Sequence, residues 1–161
     1  MPRAFGSLWP DVNGIWIALL ESNRVEESKL GVLQQAKTEH KIAIRIRQTF
    51  LGFEVTAVGE NFISNSTSFN VAKSDSRFVF TYSYVQNNRN LNYGDLASFE
   101  GLGRLVFDSQ AQFSSGNFFT NRGASPLGGT AGTFLKCKRV RLDSGLGDED
   151  LVQVLAEDNN P

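Results

Sequence analysis

The chain has 161 residues, of which 40% are hydrophobic and 20% charged, as is typical of one globular domain with a sizeable core. Its 16 Lys and Arg residues nearly balance its 17 Asp and Glu residues. This balance disfavours duplex nucleic acid as a partner, because binding a duplex requires a surplus of Lys and Arg. A small anionic ligand remains possible, since a few well-placed hydrogen-bond donors suffice to bind it. The single Cys137 and the single His40 exclude an intramolecular disulfide and a zinc site built from Cys and His of this chain alone.

The sequence contains neither a candidate membrane span nor a secretion signal. The longest apolar run, residues 15–20, is far shorter than the ~20 residues that a spanning helix needs. Residues 1–7 lack the apolar region of a signal peptide, and Gly6-Ser7 is a common cloning remnant. We therefore expect residues 1–7 to lie outside the fold, and we expect a cytoplasmic chain that does not insert into a membrane by itself.

Alternating apolar and polar residues predict β-strands along most of the chain. In residues 77–86, for example, Phe78, Phe80, Tyr82 and Tyr84 share one face. Turn residues separate eight such segments: Val12–Leu20, Ile42–Phe50, Phe53–Val58, Ser64–Ala72, Arg77–Gln86, Phe99–Asp108, Gln112–Asn121 and Thr130–Val140. About eight short strands without a long helix predict an all-β fold, either an antiparallel barrel or a sandwich.

Two regions do not follow the strand pattern. Arg24–His40 is polar, and Glu26-Glu27-Ser28-Lys29 could begin a short helix there. Residues 144–161 form an acidic tail, in which Asp148, Glu149 and Asp150 favour the start of a short helix, because acids are stabilised at a helix N-terminus. The predicted organisation is therefore one β domain over residues 8–143 followed by this tail.

No catalytic motif is present in the sequence. Gly123–Gly129 resembles a phosphate-binding loop, but Gly129-Thr130 stands where such a loop needs Gly-Lys-Ser or Gly-Lys-Thr, so a hairpin connection is favoured. His40 lies in a polar stretch and is interpreted as a solvated surface residue. We therefore expect a protein that is not an enzyme and needs no cofactor or metal.

Polar residues occupy positions that the alternation places inside a barrel. Gln48 shares the face of Ile44 and Ile46, while Tyr82 and Tyr84 share that of Phe78. Further inward candidates are the Ser64, Ser66 and Ser68 hydroxyls and the series Phe118, Thr120 and Arg122. Unpaired polar groups in a core cost about 1–3 kcal/mol each, so a cavity that holds a polar ligand would explain them together. The serines alone could equally line the solvent face of an edge strand.

A family resemblance connects these residues in chain order. The segments are Gly14-Ile15-Trp16, Ile44–Phe50, Ser64–Ser68, Phe80–Asn87, Glu100-Gly101, Gly116–Arg122 and Thr130-Ala131-Gly132. Together they resemble the cyclic-nucleotide receptor domain of Cap15, the membrane effector of bacterial CBASS antiphage defence. The resemblance covers residues 8–139.

This resemblance implies a lipocalin-like up-and-down barrel that binds a cyclic dinucleotide made by a partner CD-NTase and then oligomerises. The implied ligand residues are Gln48, Ser66, Ser68, Tyr82, Tyr84, Thr120 and Arg122, and Trp16 offers a further face for stacking. Glu100-Gly101 departs from the family's His-Gly pair, and an acid there would repel a phosphate. The family's two N-terminal membrane helices are also missing, so the chain is a piece, a variant or a soluble relative; with such helices it would lie at the inner membrane.

Two other functions fit parts of the sequence. A lipocalin-like carrier of an apolar molecule would have a dry lumen lined by Phe53, Phe78, Phe80 and Phe113, with Arg122 at its rim. A structural or interaction domain would use the tail, residues 144–161, to dock a partner.

Overall fold

The computed structural model describes residues 9–27, 33–49, 52–89, 91, 97–121, 129–142, 145 and 147–158. These residues form eight strands and one helix. The strands are β1 (Gly14–Glu27), β2 (Leu33–Gln48), β3 (Phe53–Val58), β4 (Phe62–Ser74), β5 (Arg77–Asn88), β6 (Ser98–Asp108), β7 (Phe113–Asn121) and β8 (Thr130–Arg141). The helix is α1 (Asp148–Asp158).

Each strand pairs with its sequence neighbour in antiparallel fashion, and β1 also pairs with β8, so the sheet closes into an up-and-down barrel. The predicted fold class is thereby confirmed. Each of the eight segments predicted from the alternation overlaps a different one of the eight strands. Closure leaves no free sheet edge along the fully paired part of the wall.

The prediction for Arg24–His40 was wrong. β1 continues to Glu27 and β2 begins at Leu33, so the described part of this region is a long antiparallel hairpin rather than a helix. Polar residues on both faces hid these strand extensions: among the described side chains, Ser22 and Thr38 share one face, and Glu21 and Lys37 are on the other. β3 pairs with β2 only from Ala43 to Gln48, so residues 35–42 of β2 have no strand beside them on that side among the described residues.

The barrel interior has two unequal halves. Aromatic side chains fill the half around Trp16, Phe80 and Phe107, which we call the packed half. The ring centroids of Trp16 and Phe107 are 5.2 Å apart, and those of Phe53 and Phe80 are 4.7 Å apart. Such interlocked rings exclude both water and ligand from this half.

The predicted helix in the tail is confirmed as α1, which packs on the outer face of β1–β3. Leu151, Val154 and Leu155 are buried against a second apolar cluster that includes Ile15 and Val58. Asp148, Glu149 and Asp150 occupy its first turn, and Asp150 accepts a hydrogen bond from the Gly147 backbone N–H at 2.7 Å. The apolar face of α1 is thus covered by the chain's own barrel, which removes the surface that the alternative of a docking tail required.

Candidate functional site

An open cavity of about 790 Å³ lies in the other half of the barrel and extends beyond the wall to α1. This volume lies within the range of about 300–1,000 Å³ that small-molecule sites occupy. Its lining mixes aromatic and neutral polar side chains, among them Ser22, Ser64, Tyr82, Tyr84, Gln86 and Thr120. We call this half of the interior the cavity half.

Tyr82 and Tyr84 form an aromatic wall of the cavity. They pair across the sheet with Gly103 and Gly101 of β6, and each ring lies directly over its glycine. The two ring centroids are 6.1 Å apart, and the Tyr84 hydroxyl donates to the Phe119 carbonyl at 3.4 Å. Glycines on the inner face of β6 therefore let both rings lie close to the wall, which leaves space in the lumen.

Burial governs the ionisation of the interior groups nearby. It raises the pKa of the Tyr82 phenol, with smaller contributions from the neighbouring Tyr84 and Cys137. Burial also raises the pKa of the Cys137 thiol to about 12. Both groups are neutral at physiological pH, so the aromatic wall is a surface of uncharged donors and acceptors.

Thr120 and Thr130 join β7 and β8 at the cavity. The Thr120 hydroxyl accepts from the Thr130 backbone N–H at 2.9 Å and donates to its carbonyl oxygen at 3.2 Å. Both threonines are buried and both line the cavity. The structure thus brings three of the predicted ligand residues together, namely Tyr82, Tyr84 and Thr120.

Trp16 and Gln48 lie in the packed half, away from the cavity. The Trp16 indole donates to the Val12 carbonyl at 3.1 Å and contacts the Arg139 guanidinium at 4.8 Å from its ring centroid. Gln48 accepts a side-chain hydrogen bond from the Val12 backbone N–H at 3.2 Å. Both residues point inward as predicted, but alternation along a strand does not specify height along the barrel axis.

A bulge separates the two predicted serines. The register of β4 shifts between Ser66 and Ser68, so the two side chains face opposite sides of the sheet. The Ser66 hydroxyl accepts from the Val55 backbone N–H at 2.9 Å, within the wall. Ser68 lies outside, where its hydroxyl is 2.6 Å from that of Ser83. The expectation of one hydroxyl face is therefore wrong for Ser68, whereas Ser64 is buried and lines the cavity.

The two charged residues that the sequence singled out have different outcomes. Arg122 lies outside the described residues, one residue beyond the end of β7, so its role stays a prediction. Glu100 is exposed and alternates with the buried Phe99 and Gly101. Its carboxylate is therefore on the outer face of β6. We had expected it to repel a phosphate, but from this face it does not border the lumen.

Sequence reasoning missed the contribution of the β1–β2 hairpin to the cavity. Ser22, Thr38 and His40 all line it, and their side chains form a hydrogen-bond chain. The Ser22 and Thr38 hydroxyl oxygens are 2.8 Å apart, and His40 Nε2 is 3.0 Å from the Thr38 hydroxyl. Gln86 and Asn88 were also missed, although they continue the spacing of Tyr82 and Tyr84. The same two-residue spacing would have found Gln86 within its predicted strand and, continued past the predicted strand ends, Ser22, Thr38, His40 and Asn88.

The cavity also reaches α1 through the gap beside β2. Val152, Leu155 and Ala156 line it there, together with Glu60 of the connection after β3. Ion pairs of 2.8 Å attach the two ends of α1 to β2, one between Asp148 and Arg45 and the other between Asp158 and Lys41. The helix therefore forms part of the cavity wall where β3 has ended.

The comparison with known families agrees with this geometry. A family model described as "Cap15, cyclic dinucleotide receptor domain" matches residues 7–134. The chain belongs to this family. No curated protein sequence matches the chain significantly.

The Cap15 match identifies the barrel as the cyclic dinucleotide receptor domain of a CBASS antiphage sensor, as the sequence resemblance implied. The matched residues include β1–β7 and the start of β8, and hence every strand that lines the cavity. Helix α1 lies beyond the match, so its part of the cavity wall is a feature of this chain that the family model does not describe. Among the described residues, no helix is long and apolar enough to cross a bilayer.

Proposed function

We propose that the cavity half of the barrel binds one cyclic dinucleotide, with a base stacked on the aromatic wall of Tyr82 and Tyr84. The observation that carries this proposal is the pairing of two flat tyrosine rings with side-chain-free glycines, which creates a lumen bordered by a stacking surface. Stacking on an aromatic side chain contributes about 1–3 kcal/mol per base and suits any base.

The lining combines apolar rings with polar groups, and the polar groups support a nucleotide as the ligand. Ser64, Gln86 and Asn88 offer hydroxyl and amide groups that can bond base edges, sugar hydroxyls or phosphate oxygens. The carrier alternative placed Phe53, Phe78, Phe80 and Phe113 around a dry lumen. None of these four rings lines the cavity, because each packs against another aromatic ring. The phenylalanines that do line it are Phe62, Phe99, Phe118 and Phe134.

We assign the phosphate contact to Arg122. Thr120, two residues earlier in the sequence, lines the cavity, and a guanidinium binds a phosphate with two parallel hydrogen bonds. The one lysine among the described lining residues, Lys41, is already paired with Asp158 at 2.8 Å. Few positive charges suffice here, because the ligand is small and carries few charges.

Ligand binding rather than turnover is the role that we propose for this domain. The described residues contain no group of His, Cys, Asp and Glu that could hold a metal ion. Incubation with cyclic dinucleotides is expected to leave them intact in a chromatographic time course. Product that accumulates in proportion to protein concentration would contradict this part of the proposal.

The signalling steps around this domain rest on its family membership. We propose that a partner CD-NTase supplies the ligand in the cytoplasm and that binding promotes oligomerisation. Analytical ultracentrifugation with and without ligand tests the second step, for which we expect a larger sedimentation coefficient with ligand. An unchanged sedimentation coefficient at saturating ligand would show that binding does not promote oligomerisation.

Isothermal titration with cyclic di-AMP, cyclic di-GMP and cyclic AMP–GMP tests the binding site, with palmitate as the apolar competitor. We expect Tyr84→Leu to weaken the tightest of these complexes by about tenfold or more, because the loss of one stacked base corresponds to a change in affinity of that order. Tyr84→Phe is the matched control and keeps most of the affinity, because it retains the ring. Arg122→Ala is expected to cost about tenfold to a hundredfold, and Arg122→Lys recovers only part of it. Binding of palmitate alone would overturn the proposal.

A further inference from the structure

The hydrogen-bond chain Ser22–Thr38–His40 connects an exposed residue of the cavity lining to a buried one. Ser22 and Thr38 face each other across β1 and β2, and His40 follows two residues along the same face. Ser22 is only 5% exposed, whereas His40 is exposed. The chain therefore runs from a solvent-accessible imidazole to a buried hydroxyl, and all three side chains line the cavity.

The direction of donation along this chain depends on His40. An imidazolium Nε2–H can only donate, so a protonated His40 donates to Thr38. The Thr38 O–H is then available to donate to Ser22. The Ser22 O–H then needs another acceptor, and the Thr38 carbonyl is a distant one at 3.5 Å. When His40 Nε2 carries no proton, Thr38 can donate to it, and Ser22 donates to Thr38 instead.

We propose that this chain binds an anionic oxygen of the ligand and makes its affinity depend on the protonation of His40. The proposal rests on the proposed function of the cavity and adds a second anion contact, in which Ser22 donates to a phosphodiester oxygen. An anion in the cavity stabilises the arrangement in which Ser22 donates outward, and a protonated His40 favours that arrangement because it never accepts a hydrogen bond from Thr38. Binding therefore takes up a fraction of a proton on the imidazole.

The other ionisable groups around the cavity do not reproduce this effect. They are Glu39 and Lys41 on β2, Glu60 after β3, and Tyr82 and Tyr84 on β5. The described lining residues of β1, β6, β7, β8 and α1 carry no ionisable side chain. Carboxylates and ammonium groups ordinarily keep their charges between about pH 6 and pH 8, the range in which histidines exchange a proton.

The experiment measures affinity by isothermal titration at about pH 6 and pH 8, with the cyclic dinucleotide of the panel above that the wild type binds most tightly. We expect the wild-type affinity to be about tenfold higher at the lower pH, as a charge-assisted bond implies. Titration in two buffers of different ionisation enthalpy should report net proton uptake. His40→Gln is expected to remove both the pH dependence and the proton uptake.

Thr38→Val separates a hydrogen-bond chain from a simple charge effect. This isosteric change keeps the imidazole but breaks the connection to Ser22, so we expect the tenfold pH effect to fall to about threefold. Ser22→Ala should lower the affinity at about pH 6 by about tenfold. It should also reduce the pH dependence to the same extent as Thr38→Val does. Thr133→Val, on the exposed face of β8, is the matched control and should leave both quantities unchanged.

Each result has a definite meaning. A full pH effect in Thr38→Val would overturn the chain and assign the effect to the charge of His40 alone. A pH-independent wild type that still needs Tyr84 would overturn this inference and leave the proposed function intact. A wild type that binds no member of the panel would overturn both.

Discussion

The ring of Tyr82 lies directly over the α-carbon of Gly103, its cross-strand partner on β6. A Cβ atom at position 103 would overlap the ring carbons and the hydroxyl of Tyr82, and no other atom stands as close to it. The width of the lumen at this level therefore depends on the absence of a single methyl group. Antiparallel pairs of an aromatic residue with glycine fill the space that glycine leaves open.

Gly103→Ala is expected to weaken cyclic dinucleotide binding by about tenfold without changing any polar group of the site. The added methyl group turns the Tyr82 ring away from the wall and into the lumen, where it occupies space that the ligand needs. Isothermal titration measures the loss. Gly52→Ala is the control, because its Cβ would meet only the Thr49 hydroxyl at an ordinary 3.5 Å. Equal affinities of the wild type and Gly103→Ala would show that the ligand does not use this part of the lumen.

The free energy of unfolding should decrease as the pH rises above about 9. The pKa of Tyr82 is raised from 10.0 by burial, and that of Cys137 is raised from 9.0 to about 12. The unfolded chain therefore loses these two protons at lower pH than the folded chain does. Their stabilisation is complete below pH 9 and is lost with increasing pH, by up to about 1.4 kcal/mol per pH unit for each group.

Urea denaturation at a series of alkaline pH values measures this loss. Tyr82→Phe and Cys137→Ala each remove one titrating group, so each variant should show a shallower decrease than the wild type. The double variant should be the flattest of the four proteins. A wild-type stability that stays constant to pH 12 would contradict the inward placement of both groups.

Cys137 should react slowly with thiol reagents in the native protein. Only the thiolate is nucleophilic, and burial raises the pKa of this thiol from 9.0 to about 12. At pH 8 the thiolate fraction is then about a thousandfold smaller than in the unfolded chain. Absorbance after addition of Ellman's reagent, with and without urea, measures both rates. Comparable rates would place Cys137 at the surface.

The fold was predictable from the sequence because one rule, the alternation of inward and outward side chains, applies to every strand of a barrel. The same rule placed Tyr82, Tyr84 and Thr120 on the inner face, and all three are buried there. It failed for Ser68 because a bulge at Thr67 reverses the faces, and nothing in the run of small polar residues marks the extra residue.

Height along the barrel axis was the second quantity that alternation could not supply. Trp16 and Ser22 share the inner face of β1, yet Trp16 lies in the packed half and Ser22 in the cavity half. That division depends on which strands the aromatic residues face across the barrel, and hence on long-range register. The hairpin extensions were missed for a different reason. Their inner-face residues Ser22, Thr38 and His40 line the cavity with polar side chains, so these segments show no apolar pattern.

Two ion pairs of different burial attach the ends of α1 to the barrel. Arg45 is nearly buried, with 7% of its side chain exposed, and its guanidinium donates to Asp148 at 2.8 Å and to the Thr56 hydroxyl at 3.1 Å. Near the C-terminal end, Arg141 and Glu157 form a pair at 3.2 Å in which about half of each side chain is exposed. Buried partners are expensive to leave unpaired, whereas exposed pairs contribute little.

Arg45→Ala should therefore lower the free energy of unfolding by about 2 kcal/mol, since it removes the hydrogen bonds of Arg45 to Asp148 and Thr56 and the packing of its buried stem beneath the helix. Arg141→Ala is the matched control at an exposed pair and should cost less than about 1 kcal/mol. Urea denaturation compares the two variants, and hydrogen exchange of the Leu151–Leu155 amides reports whether the loss is concentrated in α1. Because Leu155 lines the cavity, a loosened α1 should also weaken ligand binding in Arg45→Ala more than in Arg141→Ala. Equal losses of stability in the two variants would show that Arg45 does not hold the helix on the barrel.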